Sequence, residues 1–417
     1  MKKLALISAI SLAASGQVMA AAYKLPESSI NATALSAAYV ANAHGADASY
    51  YNPAAMVFDT DSRAALEADL TLIHLTSISN FQGGVKIDDT KEENIPVPTF
   101  HYISPDMGNW RYGLSVVTPG GLTKRWNGAA KAAAEEFTLK TVEINPTIAY
   151  KVNDKFSIGG GARVIYSKGV VKSTKTTSPT SSRDLEGDSF DFGYNLALNY
   201  RPTDELSLAL TYRSKIDLTE KGEAQLSAQA PIPGPGLSTY TYSGPASVLI
   251  PIPAALSLAA AYDISDKSTV EFVYERTYWS AYDVLDFDYS SSLNAVLAAS
   301  AFATPGIKDW DDSNTYRIGL THNLNSKWTL MAGFAYDETP APKKYIGYEL
   351  PDSDAKIYSF GAKYKSSENL TIGAAFLYDQ KDKLTISAAD GNATFPAGAV
   401  FEDAAAYLLT VGLEYKF

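Results

Sequence analysis

The last fifteen residues, Asp403-Ala-Ala-Ala-Tyr-Leu-Leu-Thr-Val-Gly-Leu-Glu-Tyr-Lys-Phe417, have a period of two. Ala405, Tyr407, Leu409, Val411, Leu413, Tyr415 and Phe417 form one set, all apolar or aromatic. Thr410, Gly412, Glu414 and Lys416 belong to the other. Successive side chains of a strand point to opposite faces, so this segment is a strand with one greasy face and one that tolerates charge. Ending such a strand on Phe417 is the habit of outer-membrane barrels, whose last strand closes the cylinder. Phe417 is then the expected contact for the barrel assembly machinery.

The same alternation recurs along the chain. Val142, Ile144, Ile148 and Tyr150 oppose Glu143, Asn145 and Thr147. Phe190, Phe192, Tyr194, Leu196 and Leu198 oppose Asp191 and Asn195. Tyr316, Ile318 and Leu320 oppose Arg317 and Thr321. Six tight turns are expected at 105–109, 153–155, 202–205, 265–267, 325–327 and 366–369. Seven longer polar or Gly/Pro-rich insertions are expected at 77–95, 121–137, 171–188, 219–246, 282–312, 338–354 and 381–402. Thirteen connections join fourteen strands, and alternating short turns and long loops are the asymmetry of a transmembrane barrel. The fold expected is all-β: a transmembrane antiparallel β-barrel of about 14 strands with an N-terminal plug (hatch) inside its lumen. The rival is a soluble β-sandwich, which rarely needs fourteen strands with paired short and long connections.

Met1-Lys2-Lys3, an apolar run from Leu4 and the small-residue end Val18-Met19-Ala20 read as a signal peptide over 1–20. Its loss removes Lys2 and Lys3 and no acid, which moves the formal charge from −11 to −13. That balance argues against nucleic acid as partner. The chain has no cysteine, which excludes disulfides, thiolate metal sites and a Cys nucleophile. Its 27 Tyr suit membrane interfaces, where an apolar ring and a wet hydroxyl are both satisfied. The organisation expected is signal peptide 1–20, hatch 21–62 and barrel 63–417, in the bacterial outer membrane, as a monomer in contact with outer-membrane lipid.

Residues 21–62 do not alternate. They are rich in Ala and Ser and run through Ala46-Asp47-Ala48-Ser49-Tyr50-Tyr51-Asn52-Pro53-Ala54. This segment resembles the N-terminal hatch of the long-chain fatty acid transporter family of the outer membrane, the FadL/TodX group. The match is the Asp/Ala/Ser stretch running into Asn52-Pro53-Ala54. Tyr112-Gly113-Leu-Ser-Val-Val-Thr-Pro-Gly120-Gly121-Leu122-Thr123 resembles the family's third strand and its exit, and 144–161 resembles the next hairpin. The resemblance implies a hatch-closed barrel that catches a hydrophobic ligand in its outer loops and holds it in an apolar lumen pocket. Release is then sideways, at a kink in the third strand. Pro119, Gly120 and Gly121 suit that kink, because Pro cannot donate a ladder bond. An ordinary loop start at the same place is the alternative.

Trp126, Phe137 and the apolar stretch Leu293 to Phe302 are candidate ligand contacts in the loops. Arg163 and Arg317 face the lumen by parity, as does Arg213, and Lys168 and Lys172 are expected just beyond the fifth strand. Any of these cations can pair a fatty-acid carboxylate. Glu143, Asp191, Glu271, Glu275 and Glu414 also face inward, so ion pairs within the lumen compete. Long-chain fatty acid is the expected substrate, and monoaromatic hydrocarbon the second. A general porin would not need the 21–62 segment. A lipid hydrolase needs a Ser or Asp with a base, and the four His (44, 74, 101 and 322) show no such spacing. No enzyme activity, cofactor or metal site is expected.

Overall fold

In the computed structural model, residues 22–289, 293–300 and 302–417 are described. The signal peptide expected over 1–20 lies outside them. Fourteen antiparallel strands close on themselves. They are β1 (Ala65–Leu75), β2 (Glu93–Ile103), β3 (Trp110–Val117, resumed at Leu122–Lys124), β4 (Glu136–Asn153), β5 (Phe156–Lys175), β6 (Ser181–Tyr200) and β7 (Leu206–Arg213, resumed at Ile216–Pro231). There follow β8 (Leu237–Ile252, resumed at Ala255–Ser265), β9 (Ser268–Thr277), β10 (Ser313–Asn323), β11 (Trp328–Asp337), β12 (Ala355–Lys365), β13 (Leu370–Lys381) and β14 (Ala405–Lys416). Closure is the β1–β14 ladder, which pairs Ala65 with Lys416 through Leu75 with Ala406. In lipid, a sheet without such closure would leave an edge of backbone groups with no partner.

The side chains sort as the alternation requires. On β14, Tyr407, Leu409, Val411, Leu413 and Tyr415 are exposed, whereas Leu408, Thr410 and Glu414 are buried. On β6, Phe190, Phe192, Tyr194, Leu196 and Leu198 are exposed to the outside. All six tight turns fall between strands. Two of the seven insertions do not hold. Residues 171–188 and 219–246 were expected as loops, yet β5 runs to Lys175, β6 starts at Ser181, β7 runs to Pro231 and β8 starts at Leu237. Their unbroken stretches here have 16–20 residues, against about 9–11 needed to cross a bilayer. Above the hydrocarbon the outer face no longer has to be apolar, so the alternating signal fades while the ladder continues.

The segment before β1 folds into α1 (Ile30–Ala34), α2 (Ala48–Tyr51) and a 3₁₀ turn at Pro53–Phe58. Ser29 caps α1 by accepting from the Ala32 N–H at 3.1 Å. Asp47 ties the two helices, accepting from Asn31 at 2.9 Å and from the Tyr39 hydroxyl at 3.0 Å. The segment's backbone bonds to inward side chains from around the ring. Ser157 (β5) donates to the Ala54 carbonyl at 2.6 Å, Ser207 (β7) to Ala41 at 2.8 Å, Arg317 (β10) to Ser36 at 2.9 Å and Ser359 (β12) to Ala34 at 2.8 Å. Contacts on so many sides put it within the ring. Gly333 shows how closely: a Cβ there would lie 2.2 Å from the Leu35 carbonyl carbon.

The strongest tether is on β9. The N–H groups of Val40, Ala41 and Asn42 donate to the buried Glu271 carboxylate at 2.6, 2.6 and 3.1 Å. Hydrogen bonds to an ionised group contribute about 1.5–3 kcal/mol each. Glu271→Ala is therefore expected to speed amide hydrogen exchange at Val40–Asn42 by roughly ten- to hundredfold while the β1–β14 ladder stays protected. Exchange measured residue by residue on the refolded protein checks this.

Candidate functional site

β3 stops at Val117 and resumes at Leu122, with Pro119, Gly120 and Gly121 between. The β2–β3 ladder is confined to Phe100–Ile103 against Val116–Gly113. Pro98 lies beyond that ladder, where a residue that cannot donate is tolerated. The interruption is filled by the start of the lumen segment. Lys24 makes an antiparallel bridge with Gly120. The Leu25 N–H donates to the Pro119 carbonyl at 3.1 Å, and the Gly121 N–H to Tyr23 at 2.6 Å. Gly120 has to be glycine, because a Cβ would lie 2.5 Å from the Tyr23 oxygen.

Behind this patch lies a mostly apolar cavity of about 90 Å³, bounded by Leu25, Val40, Tyr51, Ile252, Val273 and Trp279. Its polar boundary is cationic. Lys24, Arg163, Arg213 and Arg317 all line it. Lys24 pairs with Glu275 at 2.7 Å, and Arg317 reaches the same carboxylate at 3.5 Å. Arg163 and Arg213 share Glu143, the first at 2.9 Å, and Arg213 also lies 4.2 Å over the Tyr50 ring. Four cations thus share two carboxylates.

Tyr23 forms the roof. Its ring meets Trp279 edge-on at 4.7 Å and Tyr282 and Trp310 at 6.1 Å, and its hydroxyl donates to the Pro251 carbonyl. Beyond it a smaller void is lined by Leu122, Phe137, Leu139, Ile250 and Leu350, next to the Lys308–Glu349 ion pair. Burial pushes the Glu349 carboxyl up, but the Lys308 ammonium outweighs it and leaves the group below its ordinary range.

The residues expected from sequence separate on this frame. Arg163 and Arg317 are at the cavity, and Pro119 and Gly120 border it. Phe137 lines the void beyond Tyr23. Trp126 is fully buried and lines neither space; its indole donates to the Tyr348 carbonyl at 2.7 Å, which holds loops together. Lys168 requires correction. It sits on β5, not beyond it, points outward and pairs with Glu186 at 2.5 Å, as Lys172 does with Asp184 at 3.2 Å. Asn52, Pro53 and Ala54 seat the segment on the wall: Asn52 donates to the Val40 carbonyl at 2.9 Å, Pro53 opens the 3₁₀ turn, and Ala54 accepts from Ser157. Tyr23, Lys24, Glu275 and Trp279 were not singled out as ligand contacts. The buried His101–Ser115 contact of 3.0 Å has its other ring nitrogen against the Ser28 carbonyl, and neither residue borders the cavity.

Glu27 is buried at 3 % exposure with one carboxyl oxygen lacking a hydrogen-bond partner. Burial pushes it from 4.5 to about 7, against the pull of Arg317. The folded state therefore holds this proton more tightly than the unfolded chain. Stability is expected to fall as pH rises from about 4.5 to about 7, by on the order of 3 kcal/mol, and then to level off. Glu27→Gln should flatten that slope, read as the thermal midpoint against pH.

The chain matches the family described as "Outer membrane protein transport protein (OMPP1/FadL/TodX)" over residues 11–417. It is 25% identical over 430 residues to "Outer membrane protein P1" of Haemophilus influenzae, covering 89% of each chain. It is 25% identical over 325 residues to a "Long-chain fatty acid transport protein" of Escherichia coli, covering 69% of this chain and 71% of that one. The fold is similar to a crystal structure of a Pseudomonas aeruginosa FadL homologue, with TM-score 0.77, 20% identity and coverage of 95% and 100%. It is also similar to the Ralstonia pickettii toluene transporter TbuX, with TM-score 0.71, 16% identity and coverage of 93% and 98%.

Proposed function

The chain belongs to the outer membrane protein transport family OMPP1/FadL/TodX, and from that premise we propose that it carries long-chain fatty acids, or closely related amphiphiles, through the bacterial outer membrane. The observation that carries this reading is the charge balance at the cavity: Lys24, Arg163, Arg213 and Arg317 against Glu143 and Glu275. A surplus of cation at an apolar, water-poor site fits a ligand with a greasy tail and a carboxylate head. The tail gains about 25 cal/mol per Å² of apolar area removed from water, so a pocket suits it better than an open pore.

Residues 21–62 act as the hatch of the 63–417 barrel, after loss of 1–20. The cavity of about 90 Å³ is smaller than the ~150 Å³ that accommodates benzene. A ligand therefore needs part of the wall to leave. Tyr23–Leu25 is the part to move, because it holds the β3 interruption by two backbone bonds and a bridge. Its departure enlarges the cavity and uncovers the gap at Pro119–Gly121 together, so loading and sideways release are coupled. Outer-membrane lipid receives the ligand. Assembly through Phe417 and a monomeric state complete the proposal.

A second reading, monoaromatic hydrocarbon, is favoured by the Tyr23–Trp279–Tyr282–Trp310 cluster above the cavity. Equilibrium binding of radiolabelled oleate and toluene to the refolded barrel separates the two. Lys24→Met should weaken oleate about tenfold, the value of one charge-assisted bond, and leave toluene unchanged. Toluene binding without oleate binding selects the second reading. Binding of neither, with free passage of small sugars, rejects both.

A further inference from the structure

The criterion that marks the β2–β3 gap, a ladder interrupted beside the lumen cavity, marks a second place in the wall. β6 and β7 pair from Tyr200 with Leu208 to Asn195 with Arg213, and again from Asp188 with Lys221 to Ser181 with Ala228. Between those stretches, 189–193 of β6 and 216–220 of β7 have no ladder pairing with each other, though each keeps its pairing with the strand on its other side. The join is made instead by Ser214, whose N–H donates to the Tyr194 carbonyl at 2.9 Å and whose hydroxyl accepts from the Tyr194 N–H at 2.9 Å, and by a long contact of 3.4 Å from the Thr219 N–H to Asp191. The interruption lies at lipid depth, since Phe190, Phe192 and Tyr194 on its outer face are 51%, 73% and 50% exposed. Unpaired backbone there is costly unless protein covers it.

A side chain covers it. Gly193 leaves an opening that Ile216 fills, such that a Cβ on residue 193 would lie 2.6 Å from Ile216 Cγ1 and Cδ1. Ile216 is paired in register with Ile252, which lines the cavity. Arg163, also at the cavity, donates to the Ser214 carbonyl at 2.7 Å. The line from cavity to lipid thus runs Ile252, Ile216, Gly193, Phe192. The inward groups beside it are Ser167, Ser189, Asp191 and Glu220. Ser189 bonds to Ser167 and Asp191, and Glu220 is buried with one oxygen unpartnered. Lys215 and Lys221 lie on the outer face, with Lys215 on Asp217.

We propose that the β6–β7 interruption is a second lateral opening, gated by Ile216, through which uncharged hydrophobic molecules pass between the cavity and the membrane. The Asp191 carboxylate on its inner lip repels an anion, and Arg163 beside it is already paired with Glu143, so a fatty-acid carboxylate keeps to the β3 gap and neutral compounds such as small aromatics use this one. The inference rests on the transport reading above and adds a second route to it.

The chain has no cysteine, so one engineered pair can lock the opening without competing thiols. G193C/I216C places two Cβ atoms within disulfide reach. Uptake of radiolabelled toluene and oleate is measured in bacteria lacking other carriers and expressing the full chain. With the disulfide formed, toluene uptake is expected to fall about fivefold, oleate uptake to hold, and reductant to restore toluene. Ile216→Ala, which only opens the line, should raise toluene uptake and leave oleate as it was. Unchanged toluene uptake in the verified disulfide form overturns the proposal, as does equal loss of both substrates. A wild-type chain that moves neither substrate overturns the transport reading itself.

Discussion

A strand in hydrocarbon has nowhere to put its N–H and C=O groups except another strand. Closure through β1 and β14 satisfies this around most of the ring, and the β1–β14 and β13–β14 ladders run unbroken. Against that requirement a missing stretch of pairing is informative. At β3 the deficit is made up by Tyr23–Leu25, a piece of backbone that is not part of the wall. At β6–β7 it is made up by Ser214, Asp191 and the bulk of Ile216. Borrowed partners complete the wall at both places.

The lumen obeys the complementary rule. Its inward positions carry Ser, Thr, Asn, Glu and Arg, which would be costly without partners, and the 22–58 segment supplies them as backbone groups. Glu271 with three N–H groups is the clearest case, and Ser157, Ser207 and Ser359 each meet a carbonyl. Below the Tyr23 roof most wall residues clustered with this segment are small, Ala149, Ala209, Ala259 and Ala375 among them, and Gly333 lies under Leu35. Hydrogen bonds set its position, and close packing makes the fit tight. The cavity is where both fail together, leaving apolar walls and crowded cations.

Much of the barrel was legible because side-chain period two is a local property. Tyr407, Leu409, Val411, Leu413, Tyr415 and Phe417 point outward and Glu414 inward as read, and the six tight turns fall where Asn, Asp, Pro and Ser cluster. The reading lapsed where lipid stopped enforcing it: at Lys168, Lys172 and the flanking residues the ladder persists on polar side chains, so strand looked like loop. The site was legible in part for the same reason. Parity placed Arg163 and Arg317 inside, but it could not tell that Trp126 braces Tyr348 or that Lys24 meets Glu275. Tyr23 and Lys24 lie in an irregular segment whose partners are about 100 to 250 residues away, and no local pattern encodes such a contact.

The surplus length of β5 to β8 has a consequence for how a ligand first meets the protein. Twice the residues needed to cross raise the rim of the barrel into a collar of sheet, braced inside by residues such as Leu185, Leu226 and Ile250. A greasy molecule arriving from water meets this collar before it meets lipid headgroups. Whatever apolar area it lays against the collar is removed from water before it reaches the hydrocarbon.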